Sequence, residues 1–378
     1  MPTLSVFMDV PLAQKLEGSL LKTYKQDDCP NKIFLAFREG HPWVSSVVPK
    51  IRLQIAQDPS LNYEYMPVKG MKSFTEASLQ LLFGKHNQVI VENRVGGVHT
   101  VGDNGAFQLG AQFLKIWRKD SQIVYIISSK KGDQWARLMA RMKVSPTSAR
   151  LSSLSPSTIS STNFILFPSS FLLQSKQIFP FFDIPNQGLS TGDLEEDTGF
   201  LQYFVSQDFE FFCSQSLSKT FGIYDEGVGI LVVVALNNQL LLCVLSQLMK
   251  LTQALWLNPP TTGARIITSI LCNPALQEEW KQSLKGLVEN IMLIKEKVKE
   301  KLRLLGTPGS WDHITDQNGP HSYLGLNCKS QQVEYLVKKK HIYLPKNGRI
   351  NFTCINAYNI DYITQSIHEA VLSTKGSE

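Results

Sequence analysis

The sequence predicts an α/β fold, with a large, mostly parallel sheet domain and a smaller α+β domain. Three observations predict it. The run Ile230 to Leu236 is continuously apolar and far too short to span a bilayer, so it reads as a central parallel strand buried on both faces. Short apolar runs alternate with segments of helical period along the chain. Trp280, Leu284, Leu287, Ile291, Ile294, Val298, Leu302 and Leu305 recur at three- and four-residue steps, which marks one long helix ending at Gly306. With 378 residues, the chain is long enough for a core split between two domains.

In order along the chain, Gly110 to Trp117 reads as a helix and Ile123 to Ile127 as a strand. Ile178 to Phe182 and Phe209 to Cys213 read as further short strands. Gln239 to Leu248 reads as the helix after the central strand. Beyond the long helix come short strands near Tyr323 and Arg349 and a helix from Asn359 to Val371. Ligands of such a sheet bind at the carboxyl ends of its strands. Residues 145–170 break the pattern. They are rich in Ser, Thr and Pro with almost no acidic residues, and they bury too little apolar surface to offset their ordering entropy.

The net charge of +6 is mild. Lys295, Lys297, Lys299, Lys301 and Arg303 alternate with Glu296 and Glu300 on the long helix and read as a solvated face, as does Lys338-Lys339-Lys340. No nucleic-acid partner and no membrane association are expected. The six cysteines form no CxxC pair and no cluster with zinc spacing, so no metal site is expected and a reducing compartment fits. No secretory leader is evident.

Lys219, in Ser216-Leu217-Ser218-Lys219-Thr220-Phe221-Gly222, carries the chemistry. Asp183 follows the apolar run Ile178-Phe179-Pro180-Phe181-Phe182. A partly desolvated amine can hold an aldehyde, and an acid at a strand end can pair with a pyridinium nitrogen. The pair suggests pyridoxal phosphate chemistry. Its alternative is a surface lysine and a strand-end aspartate.

The wider sequence resembles the aspartate aminotransferases of fold-type I, the cytosolic branch most of all. The matching stretches are Gly40 to Val44, Asn62 to Tyr65, Arg94 to Val98, Phe181 to Asp183 with Gln187-Gly188, Ser216 to Gly222, Trp256 to Pro260, Val333 to Val337, His341 to Leu344 and Gly348 to Asn351. The resemblance implies a fold-type I transferase with a large cofactor domain over 30–290, irregular at 145–170. Residues 1–29 and 291–378 would form the N-terminal arm and small domain. It implies pyridoxal 5′-phosphate as cofactor, small amino and keto acids as partners, a cytoplasmic homodimer, or a heterodimer with an active paralogue. It also implies that the region 130–175 has lost part of the sheet, as in a product of alternative splicing.

By the same resemblance Lys219 would be the Schiff-base lysine, Asp183 the partner of the ring nitrogen and Ser216 a phosphate contact. Tyr65 would reach the partner subunit's phosphate. Arg349 would clamp the substrate α-carboxylate with its planar fork. Other positions depart from the family pattern. Gly227 stands where an arginine should hold the phosphate, and Gly102-Asp103-Asn104-Gly105-Ala106 brings a carboxylate into the phosphate cup. Asn186 replaces a tyrosine, and Lys130-Lys131-Gly132 stands where a stacking tryptophan should be. Gln253 replaces the arginine for the distal carboxylate, and Leu257 a serine. Two readings stay open. One is amino-group transfer between L-aspartate and 2-oxoglutarate, giving oxaloacetate and L-glutamate. The other is a catalytically degenerate relative acting as a partner or metabolite-binding subunit.

Overall fold

The computed structural model describes residues 11, 18–36, 42–117, 124–128, 179–326 and 331–373. The segment 145–170, Lys130 to Gly132, and Gly40 and His41 of the first matching stretch lie outside the described residues. The contacts divide the chain into two compact units, one of residues 43–290 and one of residues 1–42 with 291–378.

The larger unit is built on a five-stranded sheet. Its strands are β2 (Val95–Val101), β3 (Val124–Ser128), β4 (Phe179–Ile184), β5 (Phe211–Ser216) and β6 (Val228–Val234), in the order β2-β6-β5-β4-β3. Four strands run one way. β6 runs the other, antiparallel to both β2 and β5. The central strand is therefore buried on both faces as expected, but it is not parallel to its neighbours. The reason is the connector 217–227, which holds only the short helical turn Ser218–Phe221. A parallel neighbour needs a crossover of about a dozen residues or more, usually a full helix.

Alternate residues of β6 point to opposite faces. Ile230, Val232 and Val234 pack with Phe182, Phe211 and Trp280 on one side, together with residues of the helices Val47–Ala56, Lys72–Phe83, Gly199–Ser206 and Thr262–Leu271. Leu231 and Val233 pack on the other side with Phe181, Phe212 and the helices Gly102–Trp117 and Asn238–Trp256. The sheet is thus the middle of three layers, and the strands β2, β4, β5 and β6 are buried except at their ends.

In the smaller unit β1 (Ile33–Phe34) pairs in parallel with β8 (Ile342–Tyr343), and β7 (His321–Tyr323) pairs antiparallel with β9 (Arg349–Asn351). Asp27 ties the N-terminal arm to β8: its Oδ2 accepts from Tyr343 Oη at 2.6 Å and lies 2.6 Å from His341 Nδ1. These bonds, the Tyr343 hydroxyl first, pull the Asp27 carboxyl down to about 2.

The long helix runs Pro274–Leu304 and contributes to both units. Its basic residues do not all face solvent. Lys295 is fully buried, donating to the Gln317 carbonyl with its ammonium 5.4 Å from the Phe352 ring centre. Burial lowers its pKa to about 8. The charge alternation concealed this because Lys295 shares the inward stripe of Ile291 and Val298, both buried. Lys297 is exposed, and Lys299 and Arg303 pair with Asp312 and Glu300 as a solvated face should. No described helix is long and apolar enough to cross a membrane, and no metal-binding group of three or more residues occurs among the described residues.

Candidate active site

The site forms where β2 and β5 end, on either side of the start of β6. Gly229 of β6 is in register with Thr100 of β2 and with Ser216 of β5. The chain leaving β2 enters the helix at Gly102 and Asp103, and the chain leaving β5 enters the turn that carries Lys219. Both departures lie at the same sheet edge. Glycine is required at 229, because a Cβ there would lie 2.3 Å from the Gly102 carbonyl group. The two turns are therefore held together, backbone against backbone.

The consequence is an ion pair. Lys219 Nζ donates to Asp103 Oδ2 at 2.6 Å, and Asp103 Oδ1 accepts from the Asn104 N–H at 3.2 Å. The lysine side chain is 28% exposed and the aspartate 11%, so solvent reaches the amine but little of the carboxylate. Asp103 sits in the first turn of a sixteen-residue helix. That position favours an anion through the helix dipole and its unpaired N–H groups, and here the chain supplies its own.

The turn around Lys219 is rigidly supported. Ser218 Oγ accepts from the Val228 N–H at 2.6 Å and donates to its carbonyl. Thr220 Oγ1 donates to the Gln187 carbonyl at 3.1 Å, and the Trp280 indole N–H donates to the Thr220 carbonyl at 3.1 Å. The indole stacks on Phe221, with ring centres 4.4 Å apart and planes 2° from parallel. Gly222 closes the turn with φ +72°, and a Cβ there would meet the Trp43 carbonyl oxygen at 2.4 Å.

Asp183 is buried at the end of β4, in register with Ser214, whose hydroxyl donates to its Oδ1 at 2.8 Å. Burial and then the Asp183 charge raise the adjacent Cys213 thiol far above its ordinary pKa, so it is inert. Ser216 ends β5 and is buried. The structure thus brings Lys219, Asp183 and Ser216 to the carboxyl ends of neighbouring strands. Tyr65 lies on an exposed loop with its side chain turned out to solvent. Arg349 belongs to the smaller unit, where it opens β9 just after the turn at Gly348; burial lowers its pKa, and its guanidinium lies 5.9 Å from the Tyr323 ring centre. Gln253 is exposed on the helix Asn238–Trp256. Leu257 follows at φ +64°, and the Asn258 N–H bonds back to the Trp256 carbonyl at 2.7 Å, a strained three-residue turn.

Residues 171–367 match the model of the family "Aminotransferase class I and II". A Bos taurus protein provisionally named cytoplasmic aspartate aminotransferase 2 is 68% identical, with all of both chains covered. The chain belongs to the class I and II aminotransferase family. That alignment runs over 410 positions against the 378 residues of this chain, so this aminotransferase relative lacks residues that its bovine counterpart has. The cytoplasmic aspartate aminotransferase of Gallus gallus is 36% identical over 97% of this chain and 98% of its own. Among solved structures, the cytoplasmic aspartate aminotransferase of Giardia lamblia superposes with a TM-score of 0.87 at 26% identity, covering 98% of this chain and 99% of that one. The fold-type I architecture expected from the sequence is thus shown.

This aminotransferase family implies pyridoxal 5′-phosphate, and the residues present fit only part of it. Lys219 suits the aldehyde end, and the buried Asp183 suits the ring nitrogen. The other end does not fit a dianion. The first turn of the helix carries the Asp103 carboxylate, which bonds the Asn104 N–H, and Gly227 offers no cation. No catalytic step is therefore derived through the phosphorylated cofactor. Sequence reasoning identified both Asp103 and Lys219 but did not pair them. It missed Ser214 and Trp280 as supports. A signal existed for Ser214, since it lies two residues before Ser216 on the same buried strand.

Proposed function

We propose that this chain is a degenerate cytoplasmic aspartate aminotransferase. It retains the amine and acid that bind a pyridine aldehyde and the arginine, Arg349, that holds an α-carboxylate. It transfers amino groups between L-aspartate and 2-oxoglutarate slowly, because two charge-reading positions are gone. One observation carries this reading. Lys219 is held by Asp103 at 2.6 Å, so the amine already has a counter-ion, and a carboxylate lies in the helix turn that would receive the cofactor's anion. Gln253 adds to it, since a neutral amide cannot replace a bidentate ion pair to the substrate's distal carboxylate. Such a chain acts on small amino and keto acids as a homodimer, with Tyr65 offered to the partner's site, or joins an active paralogue as a partner subunit.

The test is oxaloacetate formation from L-aspartate and 2-oxoglutarate under saturating pyridoxal phosphate, beside the chicken cytoplasmic enzyme. The loss of two charge-assisted contacts sets the expected rate at least about a hundredfold lower. An equal rate would establish the competent-transferase reading, which Lys219, Asp183 and Arg349 favour.

A further inference from the structure

We propose that the Lys219–Asp103 pair makes this site selective for aldehydes that lack an anionic tail, so that it takes unphosphorylated pyridoxal in preference to its phosphate. The inference rests on Lys219 being the aldehyde-holding amine, and it adds the class of ligand.

The geometry carries it. Asp103 Oδ2 is 2.6 Å from the reacting nitrogen, and its other oxygen is bonded to the helix's own Asn104 N–H. Any aldehyde joined to Nζ is thereby anchored beside a carboxylate that is 11% exposed and poorly screened. In a pyridoxal-type molecule the aldehyde and the tail are borne on adjacent ring carbons, so the tail falls close to Asp103 as well. A phosphate there meets like charge, and one N–H of the helix's first turn, that of Asn104, is already bonded to Asp103. A hydroxymethyl tail meets an acceptor to which its hydroxyl can donate. Gly227 supplies neither charge nor bulk, so it leaves room for a tail without attracting an anion.

Asp103 also serves the capture step. It takes a proton from the Lys219 ammonium, and the freed Nζ lone pair forms a C–N bond to the aldehyde carbon. The carbonyl oxygen leaves as water with the two hydrogens left on nitrogen. The first proton returns from Asp103 to the new C=N nitrogen, which restores the ion pair. No electrons are exchanged with an outside reagent.

The experiment is trapping with borohydride, which adds hydride to the C=N carbon, followed by peptide mapping. The full chain is titrated with pyridoxal and with pyridoxal phosphate, each normalised to its reaction with free Nα-acetyllysine. Wild type is expected to half-saturate on Lys219 with pyridoxal at a concentration at least about tenfold lower than with the phosphate. Asp103→Gly is expected to reverse that order. Asp103→Asn keeps the side-chain volume and should remove the preference, which covers the case in which the glycine variant does not fold. A normalised preference of wild type for the phosphate, or a preference unchanged in Asp103→Asn, overturns the selectivity and leaves Lys219 as the amine. Labelling that spares Lys219 with both aldehydes overturns the amine assignment itself, and the proposed function with it.

Discussion

The two turns that meet at Gly229 have fared differently. The turn after β5 keeps everything that positions its lysine: the Ser218 clasp on Val228, the Trp280 bond to Thr220, and a glycine at the one place where a Cβ would strike Trp43. The turn after β2 is pressed as closely against Gly229, but it carries a carboxylate. On the proposed reading a carboxylate stands where the cofactor's anion would be received, and Gly227 supplies no cation beside it. Scaffold and ligand reading are therefore separable. Packing constraints are many and mutually supporting, so a defect there unfolds the protein. A carboxylate introduced at a strand end, or a missing cation there, costs binding and leaves the fold intact.

The largest expected effect tests the intact side. Gly222→Ala forces a Cβ to 2.4 Å from the Trp43 carbonyl oxygen at φ +72°. It should cost at least ~3 kcal/mol in urea unfolding, or leave the protein insoluble. A loss under 1 kcal/mol, read as about a fivefold change in the unfolding constant, would show that this turn is not held as described.

Next comes His99, on the strand that delivers the altered turn. It is 1% exposed, with its ring centre 4.5 Å from that of Phe74. Burial depresses its pKa from 6.5 to about 4. The unfolded chain takes up a proton near 6.5, which the folded chain refuses until about 4. The stability this provides is complete above 6.5 and is lost as pH falls through 4. Over that window wild type should lose about 3 kcal/mol more than His99→Phe. Parallel pH profiles of the two proteins would remove His99 from the account.

The altered side can be repaired. Gly227→Arg with Asp103→Gly should tighten pyridoxal phosphate binding by ~2 kcal/mol. Most of the gain should come from Asp103→Gly, because Gly227 has φ +60° and an arginine there loses about 1–2 kcal/mol to the left-handed backbone. An unchanged dissociation constant in the folded double variant would locate the weakness elsewhere.

The smallest effect concerns substrate choice. In single-turnover reactions, Gln253→Arg should raise the preference for L-aspartate over L-alanine by at least tenfold, about 1.4 kcal/mol. A wild-type preference as strong as the variant's would mean that another cation reads the distal carboxylate.

The sequence made the layers legible because periodicity reports burial directly. Residues 230–236 and the stripe from Trp280 to Leu305 needed only hydrophobic spacing. Strand direction was not legible, since an apolar run says that both faces are covered and nothing about polarity. The connector length did hold that information, in the single helical turn between β5 and β6. Lys219 and Asp183 stood out through their local motifs. Their partners did not, because the contacts of Lys219 with Asp103 and of Trp280 with Thr220 join positions far apart in the chain, and such contacts leave no local pattern. Lys295 misled for the converse reason: charge alternation outweighed the three- and four-residue spacing that put it on the inward stripe.

The backbone at Gly227 limits what the site can carry. A residue in the left-handed region suits glycine and resists any side chain. Any single substitution that restores a side chain at 227 is first selected against for its conformation, before a ligand can reward it. A cation placed there works against that strain, about 1–2 kcal/mol, unless the connector is reshaped. The backbone at 227 therefore works as a filter on side chains, and it favours ligands that need no cation at that edge.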